Sequence, residues 1–178
     1  MTSKLFQPLK VGEVQLGHRI ALAPLTRFRA TEAHVPLPIV PEYYAQRGST
    51  PGTLLITEAT YISDEASGYP NVPGLFTQDQ LSGWKTVTDA VHAKGSFIYA
   101  QLWALGRTAK PAVLKAKGYE LKSASAVPMG PDAPVPVEMT EEDIARFIQS
   151  YAAAAKAAVE VAGFDGVEIH GANGYLVG

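Results

Sequence analysis

His170, Asn173 and Tyr175 stand within six positions of one another, in the stretch HGANGY. The two glycines between them allow the loop to curl, so that three side chains can reach one point. Histidine and asparagine both carry N–H donors, and together they can hold a single substrate oxygen. Tyrosine keeps its phenol protonated at neutral pH and suits the role of acid to a developing carbanion. The implied chemistry is polarisation of a carbonyl and protonation of a carbon beside it. Two more polar groups stand out in apolar surroundings. Gln101 and Trp103 interrupt SFIYAQLWAL, and Thr26 follows RIALAPL. A glutamine inside an apolar strand has several amide hydrogen bonds to satisfy, which suits a polar heterocycle.

A second reading of the same stretch competes with this one. GVEI followed by G-x-x-G-x-x-x-G resembles a strand opening into a dinucleotide-binding loop. That fingerprint needs a helix to receive the pyrophosphate and an acidic residue about 20 positions later. Neither follows Gly178, and the loop comes after three βα units instead of opening the first. Glycines that simply permit a tight loop explain Gly171 and Gly174 better.

The elements that must position these groups alternate along the chain. Arg19 to Leu25 reads as a first strand and Val40 to Gly48 as a short helix ending at glycine. Thr53 to Ile62 reads as a second strand, apolar enough to be buried on both faces. A helix from the Thr77 N-cap to Gly95 carries Leu81, Trp84, Val87 and Val91 at helical spacing. Ser96 to Leu105 is the third strand. A Pro-, Ser- and Gly-rich segment, roughly Ser123 to Glu138, reads as a long loop at a functional face. Thr140, with Asp143 three residues on, starts another helix. Its stripe of Ile144, Phe147, Ile148, Tyr151, Ala155 and Val159 is expected to face a core, and Gly163 ends it. Phe164 to His170 is the fourth strand. This alternation predicts parallel βαβ units, an α/β fold. A doubly wound sheet and a (β/α)8 barrel both begin this way, and periodicity does not separate them.

In a barrel, the site forms at the carboxyl ends of the strands. Those ends offer Thr26 and Arg27, Glu58 and Ala59, Gln101 and Trp103, and then His170, Asn173 and Tyr175. Glu58 reads as structural, because no partner for a carboxylate there is evident. His18, His34 and His92 read as surface or packing residues.

Composition narrows the function classes. The 178 residues are 47% hydrophobic and 18% charged, as in ordinary globular proteins. A net charge of -2 without a basic run gives no footprint for nucleic acid or an anionic membrane. No bilayer-length apolar stretch and no secretory apolar core occur. The absence of cysteine removes disulfides and thiolate chemistry, and the four scattered histidines have no metal-ligand spacing. A cytoplasmic protein without metal is the expectation.

Six ordered blocks carry a more specific signal. They are APLTRFRA (Ala23 to Ala30), EYYAQR (Glu42 to Arg47), PGTLLITEA (Pro51 to Ala59), GYPNVPG (Gly68 to Gly74), AQLWALGR (Ala100 to Arg107) and GFDGVEIHGANGYL (Gly163 to Leu176). At these blocks the sequence resembles the old yellow enzyme family of FMN-dependent ene-reductases. The resemblance implies a (β/α)8 TIM-barrel fold, here limited to about the first four βα units with an N-terminal hairpin. It implies that residues 1–178 are the N-terminal half of one FMN-binding oxidoreductase domain, with no second domain.

It also implies roles. Thr26 corresponds to the residue contacting the flavin carbonyl, with Pro24 and Leu25 packing on the ring. Ala59 would lend backbone hydrogen bonds, and Gln101 would bind the pyrimidine edge. His170 and Asn173 match the pair that holds the substrate carbonyl, and Tyr175 matches the proton donor to the α carbon. Tyr69 and Trp103 match positions near the substrate pocket. A sister class carries Cys where Thr26 stands, so the chain resembles the threonine-bearing branch. The cofactors implied are FMN and a hydride donor, NADPH or NADH, and the substrate is a small enone or enal.

The flavin phosphate site and a basic contact to its ring would lie in the barrel's other half. A non-catalytic fragment that pairs with a complementing half-barrel, or a homo-oligomer, is therefore the rival expectation. GTLLITEAT and HVPLP resemble the chanoclavine-aldehyde branch, where reductases and isomerases both occur. Retention of Tyr175 favours reduction, because loss of the proton donor favours isomerisation.

Overall fold

A computed structural model describes residues 3–177. The chain opens with an antiparallel hairpin of β1 (Leu9–Val11) and β2 (Val14–Leu16). It then builds one parallel sheet from β3 (Ala21–Leu22), β4 (Leu54–Ile56), β5 (Thr60–Tyr61), β6 (Phe97–Trp103) and β9 (Gly166–Ile169). Leu22 pairs with Leu55, Leu55 with Ile98, and Tyr99 with Gly166. The line of β4 continues as β5, which pairs with the upper end of β6 through Thr60–Leu102 and Tyr61–Trp103. Each strand therefore lies beside the next one along the chain. A doubly wound sheet reverses its order at a switch point, whereas a barrel wall does not. The order seen here is that of a barrel wall.

The helices α1 (Val40–Arg47), α2 (Gln78–His92) and α4 (Glu141–Glu160) bury their apolar faces against this sheet. Tyr44, Leu55, Trp84, Val87, Val91, Ile98, Leu102 and Phe147 form the shared core. Local signals start the two long helices. Thr77 Oγ1 accepts from Gln80 N, and Gln80 Oε1 accepts from Thr77 N at 3.1 Å, a closed capping box. Gln80 is almost fully buried and also donates to Ala33 O, so this cap ties down the loop before α1 as well. Thr140 and Asp143 form the equivalent box for α4. Asp143 further pairs with Lys122 at 2.8 Å and with Arg146, whose guanidinium forks onto Glu65 at 2.9 and 3.0 Å. These partners hold the carboxyl of Asp143 far below the usual carboxylate range, the Lys122 hydrogen bond most of all.

Three local expectations change. The second strand breaks between Ile56 and Thr60. There Gln101 N donates to the side-chain oxygen of Thr57 at 3.0 Å, so a hydroxyl replaces a ladder carbonyl, and the backbone bends at Glu58. The seated face of α4 is rotated by about one position from the expected stripe. Asp143, Phe147, Ala154 and Ala158 are buried, while Ile148 is 63% exposed and Ile144 and Val159 are also exposed. The alanines allow a close approach to the sheet that the branched side chains would block. The Pro-rich segment is pinched at its ends by a short parallel pair, β7 (Lys122–Ser123) with β8 (Val137–Glu138), and is preceded by α3 (Pro111–Ala116).

One glycine is required by the sheet itself. A Cβ on Gly166 would fall 2.6 Å from the ring of its neighbour Tyr99, which lies on the face away from Ile98 and the helices.

Candidate active site

The carboxyl ends of the parallel strands open on one cleft of about 330 Å³. Pro24, Thr26, Ala59, Gln101, Trp103, His170, Asn173 and Tyr175 line it. The β3 end supplies Pro24 and Thr26, the break after β4 supplies Ala59, β6 supplies Gln101 and Trp103, and the loop after β9 supplies the rest. The loop is tied down at both ends. His170 N donates to Leu102 O at 3.0 Å, and Leu176 N donates to Ala104 O at 3.1 Å. Between these ties, Asn173 and Gly174 adopt left-handed φ values of 62° and 71°, which turn the chain sharply. Asparagine tolerates that region better than most residues, so the turn and the polar group come from one position.

Aromatic packing orders the catalytic candidates. The Trp103 ring lies parallel to His170, with centroids 6.2 Å apart and planes 16° apart. Tyr175 stands edge-on to both, 4.8 Å from each. Tyr61 stacks against Trp103 at 5.5 Å. Trp103 itself is almost fully buried, and its indole Nε1 has no hydrogen-bond partner among the described residues. Burial, with a smaller contribution from Tyr69, raises the Tyr175 phenol above its ordinary value. The phenol is therefore an O–H donor throughout the neutral range.

Gln101 Nε2 donates to Glu168 Oε1 at 2.8 Å, its in-register neighbour on β9. Sequence reasoning missed Glu168, because only the strand register brings it beside Gln101. The bond orients the carboxamide and leaves its carbonyl oxygen for another donor. Thr26, exposed at the rim, brings a hydroxyl to the opposite side. An apolar edge at Pro24, a hydroxyl and an amide of mixed donor and acceptor character fit a flat heterocycle such as the flavin ring.

Two expected residues lie off the cleft wall. Leu25 is 53% exposed beside the rim. Tyr69 sits behind Trp103, donates its hydroxyl to Thr108 O at 3.1 Å, and lines a separate groove with His34 and Lys117. The other histidines have structural partners: His18 with Thr53, His92 with Asp165, and buried His34 with Val72 O and Lys117. Among the described residues no three His, Cys, Asp or Glu side chains gather as a metal site. No helix among them is long and apolar enough to cross a membrane.

The family model of the NADH:flavin oxidoreductase / NADH oxidase family matches residues 4–178. The chain belongs to this family. Among its relatives is the NADP-dependent oxidoreductase lnbE of Aspergillus flavus, 61% identical over 99% of this chain and 47% of that protein. The chanoclavine-I aldehyde reductase fgaOx3 of Penicillium roqueforti is 60% identical over 98% of this chain and 47% of its own length. A protein named as the probable inactive reductase easA of Epichloe festucae var. lolii is 57% identical over 99% and 46%. The crystal structure of old yellow enzyme from Pichia sp. AKU4542 superposes with a TM-score of 0.94 at 40% identity, covering 97% of this chain and 47% of that one. The chain spans about half the length of the curated relatives it matches. Its α/β architecture is thus that of half a TIM barrel of the old yellow enzyme type.

Proposed function

We propose that residues 1–178 form the N-terminal half of an FMN-binding barrel domain that reduces the activated C=C bond of small α,β-unsaturated carbonyl compounds. The convergence of His170, Asn173 and Tyr175 beside Gln101 and Thr26 in one cleft carries this reading. Pro24, Leu25, Thr26, Ala59 and Gln101 would hold the flavin ring. FMN held there would supply the hydride chemistry at the β carbon, with NADPH or NADH as its source of reducing equivalents.

The chain's own residues do the remainder. His170 and Asn173 donate hydrogen bonds to the substrate carbonyl oxygen and draw electron density from the double bond. Their donors are aimed where enolate charge develops, which lowers the barrier more than it tightens ground-state binding. Tyr175 delivers its phenolic proton to the α carbon, and the phenolate regains a proton from solvent. Trp103 forms the wall that keeps His170 and Tyr175 in place, with Tyr69 behind it. The name of one relative, a chanoclavine-I aldehyde reductase, supports a carbonyl substrate.

Flavin reconstitution tests the reading. The chain should take up FMN, NADPH should bleach its yellow absorbance, and 2-cyclohexenone should restore it without oxygen. No uptake of FMN at micromolar concentration would sink the flavin reading of these residues and leave the non-catalytic fragment as the rival. Rearrangement of the enone without net NADPH use would point to an isomerase.

A further inference from the structure

Glu58 lies beside the cleft without lining it. Its side chain is 2% exposed, and its Oε2 accepts a hydrogen bond from the backbone N–H of Arg27 at 3.0 Å. Arg27 directly follows Thr26, and Glu58 directly precedes Ala59. The ladder between β3 and β4 ends at Leu22–Leu55. Beyond that pair, the Glu58 carboxylate is the clasp joining the two chain segments that bear Thr26 and Ala59.

The rest of Glu58 is held as firmly. Its backbone N–H donates to the Tyr44 hydroxyl at 2.8 Å, and its carbonyl accepts from Thr60 Oγ1 at 2.8 Å. No ion pair involves Glu58 among the described residues. The Arg27 guanidinium lies over the Tyr43 ring, 5.0 Å from its centroid, instead of on the carboxylate. The charged and titratable groups around Glu58 are Arg27 and Arg29 from the loop after β3, and Tyr43 and Tyr44 from α1. A buried carboxyl with one backbone donor is costly to keep, and a purely structural tie could be made by a neutral amide.

We propose that Glu58 is a positioning residue, whose carboxylate clasps the Arg27 amide and thereby sets where Thr26 and Ala59 meet the cofactor ring. The inference rests on the flavin reading given above. Burial pushes the carboxyl up to about 7, against which the Arg27 amide and the two guanidiniums pull down. The clasp therefore changes charge near neutrality, and the ring contacts made by Thr26 and Ala59 change with it.

The test compares the chain with Glu58→Gln and Glu58→Leu. The Gln variant keeps an acceptor for Arg27 N–H but cannot ionise; the Leu variant keeps bulk and loses the acceptor. The Arg27 amide proton resonance is followed from pH 5.5 to 8.5, and FMN binding is titrated by fluorescence over the same range. The expected result is an Arg27 resonance and an FMN affinity that titrate together in the parent chain. Both become flat with pH in Glu58→Gln, and FMN binding is about tenfold weaker in Glu58→Leu, as loss of one positioned hydrogen bond implies. A parent chain that binds FMN with an affinity unchanged in Glu58→Leu overturns the positioning role and leaves the flavin reading standing. An Arg27 resonance that ignores Glu58 overturns the clasp itself. A parent chain that binds no FMN sinks the flavin reading and takes the positioning role with it, while the Arg27 titration still reports the bare backbone tie.

Discussion

Trp103 lies flat against His170, with 6.2 Å between ring centroids and 16° between planes, and Tyr175 stands edge-on to both. One side chain thus packs beside both the proposed oxyanion donor and the proposed proton donor. Trp103 is 3% exposed, so its removal acts on stability as well as on the site. Trp103→Ala should cost about 3–5 kcal/mol of unfolding free energy, the range for deleting a large buried aromatic. Trp103→Phe should keep most of that stability and lower enone turnover through a loosened His170. Urea unfolding and steady-state kinetics on the two variants separate these effects. A Phe variant with unchanged turnover would remove the orienting role.

Tyr175→Phe keeps the edge-on ring and removes the proton. In the flavin-loaded protein, reduction by NADPH should proceed at the parental rate while reoxidation by an enone slows roughly 10²–10⁴-fold, the usual share of general acid catalysis. Rapid-mixing absorbance measurements resolve the two half-reactions. Equal slowing of both would show that Tyr175 acts on the ring's surroundings and not on the substrate.

His170→Leu removes one of the two donors proposed for the carbonyl oxygen. The expected cost is about 10²–10³ in the rate of enone reduction. Asn173→Ala should be milder on that hydrogen bond, yet it also strains the turn, because Asn173 sits at φ 62°. Asn173→Gly relieves the strain and isolates the donor. Rates for Asn173→Ala and Asn173→Gly that agree would assign the whole effect to the lost donor.

Glu58 makes stability fall as pH rises. Its carboxyl is raised from 4.5 to about 7 in the fold, so the folded chain holds a proton that the unfolded chain has released across that window. The stability this confers is present below pH 4.5 and is lost as pH passes 7, on the order of 3 kcal/mol in all. Asp143 has the opposite sign. Lys122, Thr140 and Arg146 depress its carboxyl, so its contribution is present above the ordinary carboxylate range and is lost in strong acid. Chemical denaturation from pH 2 to 9 should show Glu58→Gln flattening the neutral limb and Asp143→Asn flattening the acid limb. A neutral limb unchanged in Glu58→Gln would place the titrating group elsewhere.

Much of this was readable from local chemistry. Thr77 and Thr140 announced their helices because a cap is decided within three residues. The clustering of His170, Asn173 and Tyr175 followed from a single glycine-bearing loop. Contacts set by distant register were not readable. The break at Thr57 depends on the Gln101 amide, 44 residues away, and Gln101 meets Glu168 only through the pairing of β6 with β9. The partner that Glu58 lacked in sequence is a backbone N–H, which no residue type signals. The face of α4 turned because Ala154 and Ala158 pack closer than Ile148 can, and hydrophobicity alone ranks them the other way. Tyr69 retreated behind Trp103 for a similar reason, since its hydroxyl finds Thr108 O there.

The central claim is that one cleft holds both a flavin ring and an enone. The most direct measurement is an anaerobic absorbance titration of the FMN-loaded chain: NADPH to bleach, then 2-cyclohexenone in measured portions. Full return of the yellow band is expected at one equivalent of enone, with saturated cyclohexanone as product, and no return in a His170→Leu, Asn173→Ala double variant. A reduced flavin that the enone leaves bleached, or that returns equally fast in the double variant, would contradict it.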